Sequence, residues 1–148
     1  MKLYQFSGDW NTFFELFVAG KVNGGAWFKH VLEWWKHKDA SNILFLKYED
    51  MKKDLKAAVE KIAEFIDIRL EPDIIDKIVS QCSFDSMKHN PAVNYLWYSD
   101  KRKEGSEPWI RKGMIGDWKN YFTEEQSLQY DEEYRRLMSG TGLDFLFQ

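Results

Sequence analysis

Two adjacent cations, Arg111 and Lys112, stand directly before Gly113 in the stretch Trp109-Ile-Arg-Lys-Gly-Met-Ile-Gly-Asp-Trp-Lys-Asn120. A guanidinium grips a phosphate or sulfate through two parallel hydrogen bonds. Glycine at 113 lets a backbone N–H approach the same anion. Trp109 and Trp118 flank the stretch as flat surfaces on which a base can stack. These residue types describe a nucleotide-phosphate clamp and, equally, a solvated basic turn.

Other chemically capable residues are weaker. Glu49 and Asp50 are adjacent carboxylates, but no second acidic group is placed opposite them, and they read as helix-start residues rather than an acid/base pair. His30 and His37 lie seven positions apart, whereas a metal pair on one helix needs i,i+4 spacing, so both are expected at the surface. Cys82, the single cysteine, rules out an internal disulfide and suits a reducing compartment. It continues the apolar stripe Ile74, Ile75, Ile78 and Val79, which predicts a packed side chain rather than a nucleophile. Tyr95, Trp97 and Tyr98 adjoin a polar run. They suit either a lid over an apolar ligand or ordinary loop packing.

These residues need a folded frame, and the composition supplies one. The 148 residues are 44% hydrophobic and 17% aromatic, with 7 Trp, unlike a disordered chain. A net charge of -3 gives no global attraction to nucleic acid or to a membrane, so any anion site is local. No apolar run is long enough to span a bilayer, and the first residues lack a secretory h-region.

Asp9 is a good N-cap for a helix carrying Trp10, Phe13, Phe14 and Phe17, with Gly20 as its stop. A second helix carries Trp27, Phe28, Val31, Leu32, Trp34 and Trp35, closed by Lys36, His37 and Lys38. Residues 42–48, from Asn42 to Tyr48, form the one convincing strand. Its unbroken apolar run, 43–46, suits a parallel strand covered on both faces. Asp54 caps the next helix, Pro72 opens another, and Ser83 caps a short third. Thr123 and Gln126 have capping-box spacing before a final helix bearing Tyr130, Tyr134, Leu137 and Met138.

Six segments together resemble the cytosolic sulfotransferase family: Gly25-Ala-Trp-Phe-Lys-His-Val, Trp34-Trp35, Tyr48-Glu-Asp-Met-Lys, Cys82-Ser-Phe-Asp-Ser-Met-Lys, Asn90-Pro-Ala-Val-Asn-Tyr, and Arg111-Lys-Gly-Met-Ile-Gly-Asp-Trp-Lys-Asn. They follow the family's order and nearly its spacing, from end to end of the chain. The resemblance implies an α/β, P-loop-NTPase-like three-layer sulfotransferase fold. Of this fold, residues 1–148 would be a single partial domain, the mostly helical C-terminal half with about one parallel strand. It implies transfer of a sulfuryl group from 3′-phosphoadenosine 5′-phosphosulfate (PAPS) to a hydroxyl or amine of a small apolar acceptor, with no metal, in the cytoplasm. No nucleic-acid or membrane partner is implied.

Carried over residue by residue, Arg111, Lys112 and Gly113 would hold the 3′-phosphate. Trp109 and Ile110 stand where the family has a Phe-Met pair near the nucleotide. Cys82, Ser83 and Phe84 match a Thr-Ser-Phe, and the change of Thr to Cys weakens one hydrogen bond because a thiol is a poor donor. Tyr48 and Met87 match nucleotide-side positions. Tyr95 matches an acceptor-pocket aromatic, with Trp97 and Tyr98 beside it.

The family's Tyr-Pro-Lys-Ser-Gly-Thr-Thr-Trp type loop and histidine base have no counterpart in the sequence. No catalytic residue is therefore assigned, and the chain alone is expected to be inactive. The alternative is a non-catalytic truncated module that keeps an adenosine 3′,5′-bisphosphate (PAP) site or binds protein. The family's dimer signature is altered at Glu124 and Leu128, which places its homodimer in doubt.

Overall fold

The structure is a computed structural model that describes residues 6–94, 110–145 and 147. The chain forms two compact units. One comprises Met1–Phe6 and Leu46–Ile115, the other Ser7–Phe45 and Gly116–Gln148.

The first unit holds α3 (Tyr48–Lys53), α4 (Leu55–Phe65), α5 (Pro72–Gln81) and α6 (Phe84–His89). Asp54 ends α3 and starts α4, its carboxylate accepting from the Ala57 N–H at 2.9 Å. Glu49 and Asp50 fall in the first turn of α3 and Lys52 and Lys53 in its last, each sign matched to the helix dipole. Pro72 takes the first position of α5, where its missing N–H costs nothing. Between them the chain leaves α4 through Asp67 at φ 56, a left-handed stop without glycine that the sequence does not announce. Helix α4 packs against α3 and α5 and buries Ala58, Val59 and Ala63.

The second unit is built from α1 (Trp10–Val18), α2 (Trp27–Trp35), a 3-10 turn (Asp117–Asn120) and α7 (Glu124–Met138). Asp9 caps α1, and Thr123 with Gln126 forms the expected capping box on α7. Aromatic rings fill the interior: Phe28 stacks on Tyr130 with centroids 5.4 Å apart, and Phe14 meets Phe122 edge-on at 5.3 Å. Phe28, Met138 and Leu143 are the buried centre between α2 and α7. Gln126, 8% exposed, ties the start of α7 to α1: its carbonyl accepts from Trp10 Nε1 at 2.9 Å and its amide donates to Asn11 Oδ1 at 3.0 Å.

Two expectations are corrected. Residues 43–47 are neither helix nor strand, and Tyr48 begins α3 instead of ending a strand. An apolar run becomes a strand only beside a partner that pairs its backbone, and no described segment provides one. Phe45 instead sets its ring edge-on to Trp35 at 5.2 Å. The predicted buried side of α5 is narrower than its stripe. Ile75 is buried, but Ile74 is 37% exposed, and Cys82, at the C-cap beyond the last turn, is exposed. His30 and His37 are both exposed, as expected.

Candidate nucleotide-binding site

Helices α3 and α6 bring together five of the sequence-predicted nucleotide residues, all within the first unit. On α3, Tyr48 and Lys52 are one turn apart and share a face. Cys82 closes α5, and the next residue, Ser83, caps α6 by accepting from the Ser86 N–H at 3.3 Å. That cap points Phe84 and Met87, three apart, to one side of α6. Tyr48, Cys82, Ser83, Phe84 and Met87 line a single cavity of about 690 Å³, which continues along the apolar face of α4. Among the described residues that line it, Lys52 alone is charged.

The far end of α6 is pinned as well. Asn94, 4% exposed, donates from Nδ2 to the Lys88 carbonyl at 2.7 Å. The Asn90 side chain accepts from the Ala92 N–H at 3.0 Å, a turn that stops the helix.

Gly113 belongs to the same unit and reaches the cavity wall. Its φ of 60 is left-handed, and a Cβ placed on it would lie 2.2 Å from Cδ2 of Phe84. Only a hydrogen fits against the ring at that point. Ile110 and Arg111 are half-buried and Lys112 is exposed. Phe84 also receives two ammonium groups: Lys52 Nζ stands 5.3 Å from its ring centroid and Lys88 Nζ 5.8 Å. Both lysines end segments quoted for the family resemblance, which gives neither a role, and Phe84 and Lys88 have i,i+4 spacing.

Trp118 lies in the second unit, where its ring meets Phe122 at 5.4 Å. Trp109, Tyr95, Trp97 and Tyr98 lie outside the described residues. Among the described residues no group of three His, Cys, Asp or Glu side chains is placed to hold a metal ion. No helix among them is long and apolar enough to cross a membrane.

The arrangement joins an aromatic-walled apolar slot to a glycine turn that follows two cations. Comparison with known proteins gives the family. The sulfotransferase-domain family profile matches residues 1–142, and the chain belongs to the sulfotransferase family. It is 44% identical to sulfotransferase 1C2 of Rattus norvegicus over 142 residues, 95% of this chain and 48% of that protein. Identity to sulfotransferase 1A1 of Mus musculus is 43% over 148 residues, 99% of this chain and 50% of that protein.

Two solved structures share the fold. Retinol dehydratase in complex with androsterone and the inactive cofactor PAP superposes with a TM-score of 0.90 at 32% identity, over 97% of this chain and 42% of that one. Mouse sulfotransferase SULT7A1 complexed with PAP gives 0.77 at 36% identity, over 90% and 49%. The chain spans about half the length of the curated relatives it matches.

Proposed function

We propose that residues 1–148 form the nucleotide-anchoring part of a PAPS-dependent sulfotransferase, acting on a hydroxyl or amine of a small apolar acceptor. The observation that carries this reading is the gathering of Tyr48, Cys82, Ser83, Phe84 and Met87 on one cavity with Gly113 against its Phe84 wall. An adenine ring needs flat apolar surfaces and a few polar edges, and Phe84, Met87, Tyr48 and Ser83 are of those types. Arg111, Lys112 and the Gly113 backbone then hold the 3′-phosphate, with Ile110 and Trp109 beside the nucleotide. Tyr95, Trp97 and Tyr98 are assigned to the acceptor.

In the reaction the bond from sulfur to the phosphate oxygen breaks and a bond from sulfur to the acceptor oxygen or nitrogen forms. The acceptor proton passes to a base, and PAP leaves. The residues named here anchor the donor at the end remote from sulfur. They contribute by fixing position and neutralising phosphate charge. Groups that would grip the phosphosulfate and take the proton have no motif within 1–148. We therefore read this chain as the C-terminal half of a cytoplasmic sulfotransferase domain, binding donor without transferring from it alone. The same missing motifs favour a second reading, a nucleotide- or protein-binding module without turnover.

Two assays test the proposal. Calorimetry with PAP should show saturable binding to residues 1–148, and absence of binding would remove the site. Incubation with PAPS and a phenol should give no sulfated product, and measurable transfer would overturn the division of labour.

A further inference from the structure

Phe84 is more than a wall of the cavity. Its ring touches the one backbone position, Gly113, that follows Arg111 and Lys112, and the approach leaves no room for a methyl group. Where the ring sits therefore limits how closely that backbone can come to the cavity. Two lysines from different helices address the same ring. Lys52 reaches it from α3 at 5.3 Å and also lines the cavity, while Lys88 reaches it from one turn along α6 at 5.8 Å. Ammonium groups over a ring face resist its reorientation, because turning the ring edge toward a cation replaces attraction by repulsion.

We propose that Lys52 and Lys88 are positioning residues for the 3′-phosphate clamp, acting through the Phe84 ring. This rests on the nucleotide-site reading above. Neither lysine need touch the nucleotide. Each holds the ring that sets the Gly113 turn, and the phosphate is bound or released through that turn.

The test compares two ligands that differ by the 3′-phosphate alone, PAP and adenosine 5′-monophosphate, titrated calorimetrically against the full chain. Lys52→Met and Lys88→Met should each lower the ratio of PAP to monophosphate affinity by about threefold, the size of an exposed cation–π contact, and Lys88→Met should leave the monophosphate itself unchanged. Lys52→Arg keeps a cation over the ring and should restore the ratio. In a Phe84→Leu background, Lys52→Met should have no further effect on the ratio. A ligand-free readout covers the case in which Phe84→Leu does not fold: Lys52→Met should move the Gly113 amide resonance, which senses the ring current of Phe84. If the parent chain binds no PAP, the nucleotide-site reading falls and this inference with it. If it binds PAP but the ratio and the Gly113 resonance are untouched by Lys52→Met and Lys88→Met, only the role of the lysines is overturned.

Discussion

The ring of Phe84 lies so close to Gly113 that a Cβ at 113 would stand 2.2 Å from Cδ2 and 2.6 Å from Cε2. One residue opens α6 and the other follows the cation pair, 29 positions later in the chain by subtraction of 84 from 113. Contact between them links the aromatic wall of the cavity to the predicted phosphate clamp.

Gly113→Ala should therefore act on binding before it acts on the fold. A left-handed φ of 60 combined with the clash forces either the turn or the ring to move. PAP affinity should fall more than about tenfold, the size of a strained turn or a modest overpacking penalty. Adding Phe84→Ala should recover part of that loss, since it removes the obstructing ring. Calorimetry on the two single variants and the double variant measures this, and strict additivity would show that the contact is unimportant.

Gln126 supports the second unit through hydrogen bonds rather than volume. Its carbonyl accepts from Trp10 Nε1 and the Thr123 N–H, at 2.9 and 3.1 Å, and its amide donates to Asn11. Gln126→Leu keeps the bulk and abandons these partners in a largely buried place. Both Gln126→Leu and Gln126→Ala should cost about 2–3 kcal/mol in chemical denaturation, the usual penalty for orphaned buried polar groups. A Leu variant as stable as the parent would contradict this.

Burial pushes the Tyr130 hydroxyl up to about 12, with the neighbouring Tyr134 adding to the shift, against an ordinary value of 10. The neutral phenol is thus favoured in the folded state. Its contribution to stability is complete below pH 10 and is lost as pH rises toward 12. Tyr130→Phe keeps the ring contacts with Phe28 and Phe17. Denaturation curves should show a smaller loss of stability across this window for the variant than for the parent. Equal losses would remove Tyr130 as a cause.

Local signals were the legible part of the fold. Asp9, Asp54, Ser83 and Thr123 each accept from a backbone N–H three residues on, so the cap and its helix lie within one short window. The apolar run at 43–46 failed as a strand signal because pairing depends on a second segment that the run itself does not encode. Cys82 continued the stripe of α5, but the helix ended one residue earlier and the thiol turned out to be exposed. At the site, Tyr48, Cys82, Ser83, Phe84 and Met87 were reachable through family resemblance, since nothing in their spacing alone brings α3 beside α6. Lys52 closes one of the quoted segments, but its contact with Phe84 was hidden for the same reason: the ring is 32 residues away by subtraction of 52 from 84.

Glu124 and Leu128 bear on assembly. Glu124 occupies the first turn of α7, where its charge suits the helix N-terminus, and Leu128 is 62% exposed. A carboxylate where the family's dimer motif has an apolar side chain should weaken a small two-fold contact. Light scattering should find a monomer at micromolar concentration. A stable dimer that Leu128→Lys dissolves would contradict the expectation.

Anchoring of a 3′-phosphorylated nucleotide by the cation pair before Gly113 is the proposal on which the site stands. Its most direct test is calorimetric titration of residues 1–148 with PAP, repeated on Arg111→Ala. The parent should bind saturably and one-to-one, and the variant at least about tenfold more weakly, by loss of a charge-assisted contact of about 1.5–3 kcal/mol. Absence of binding by the parent, or equal binding by Arg111→Ala, would contradict it.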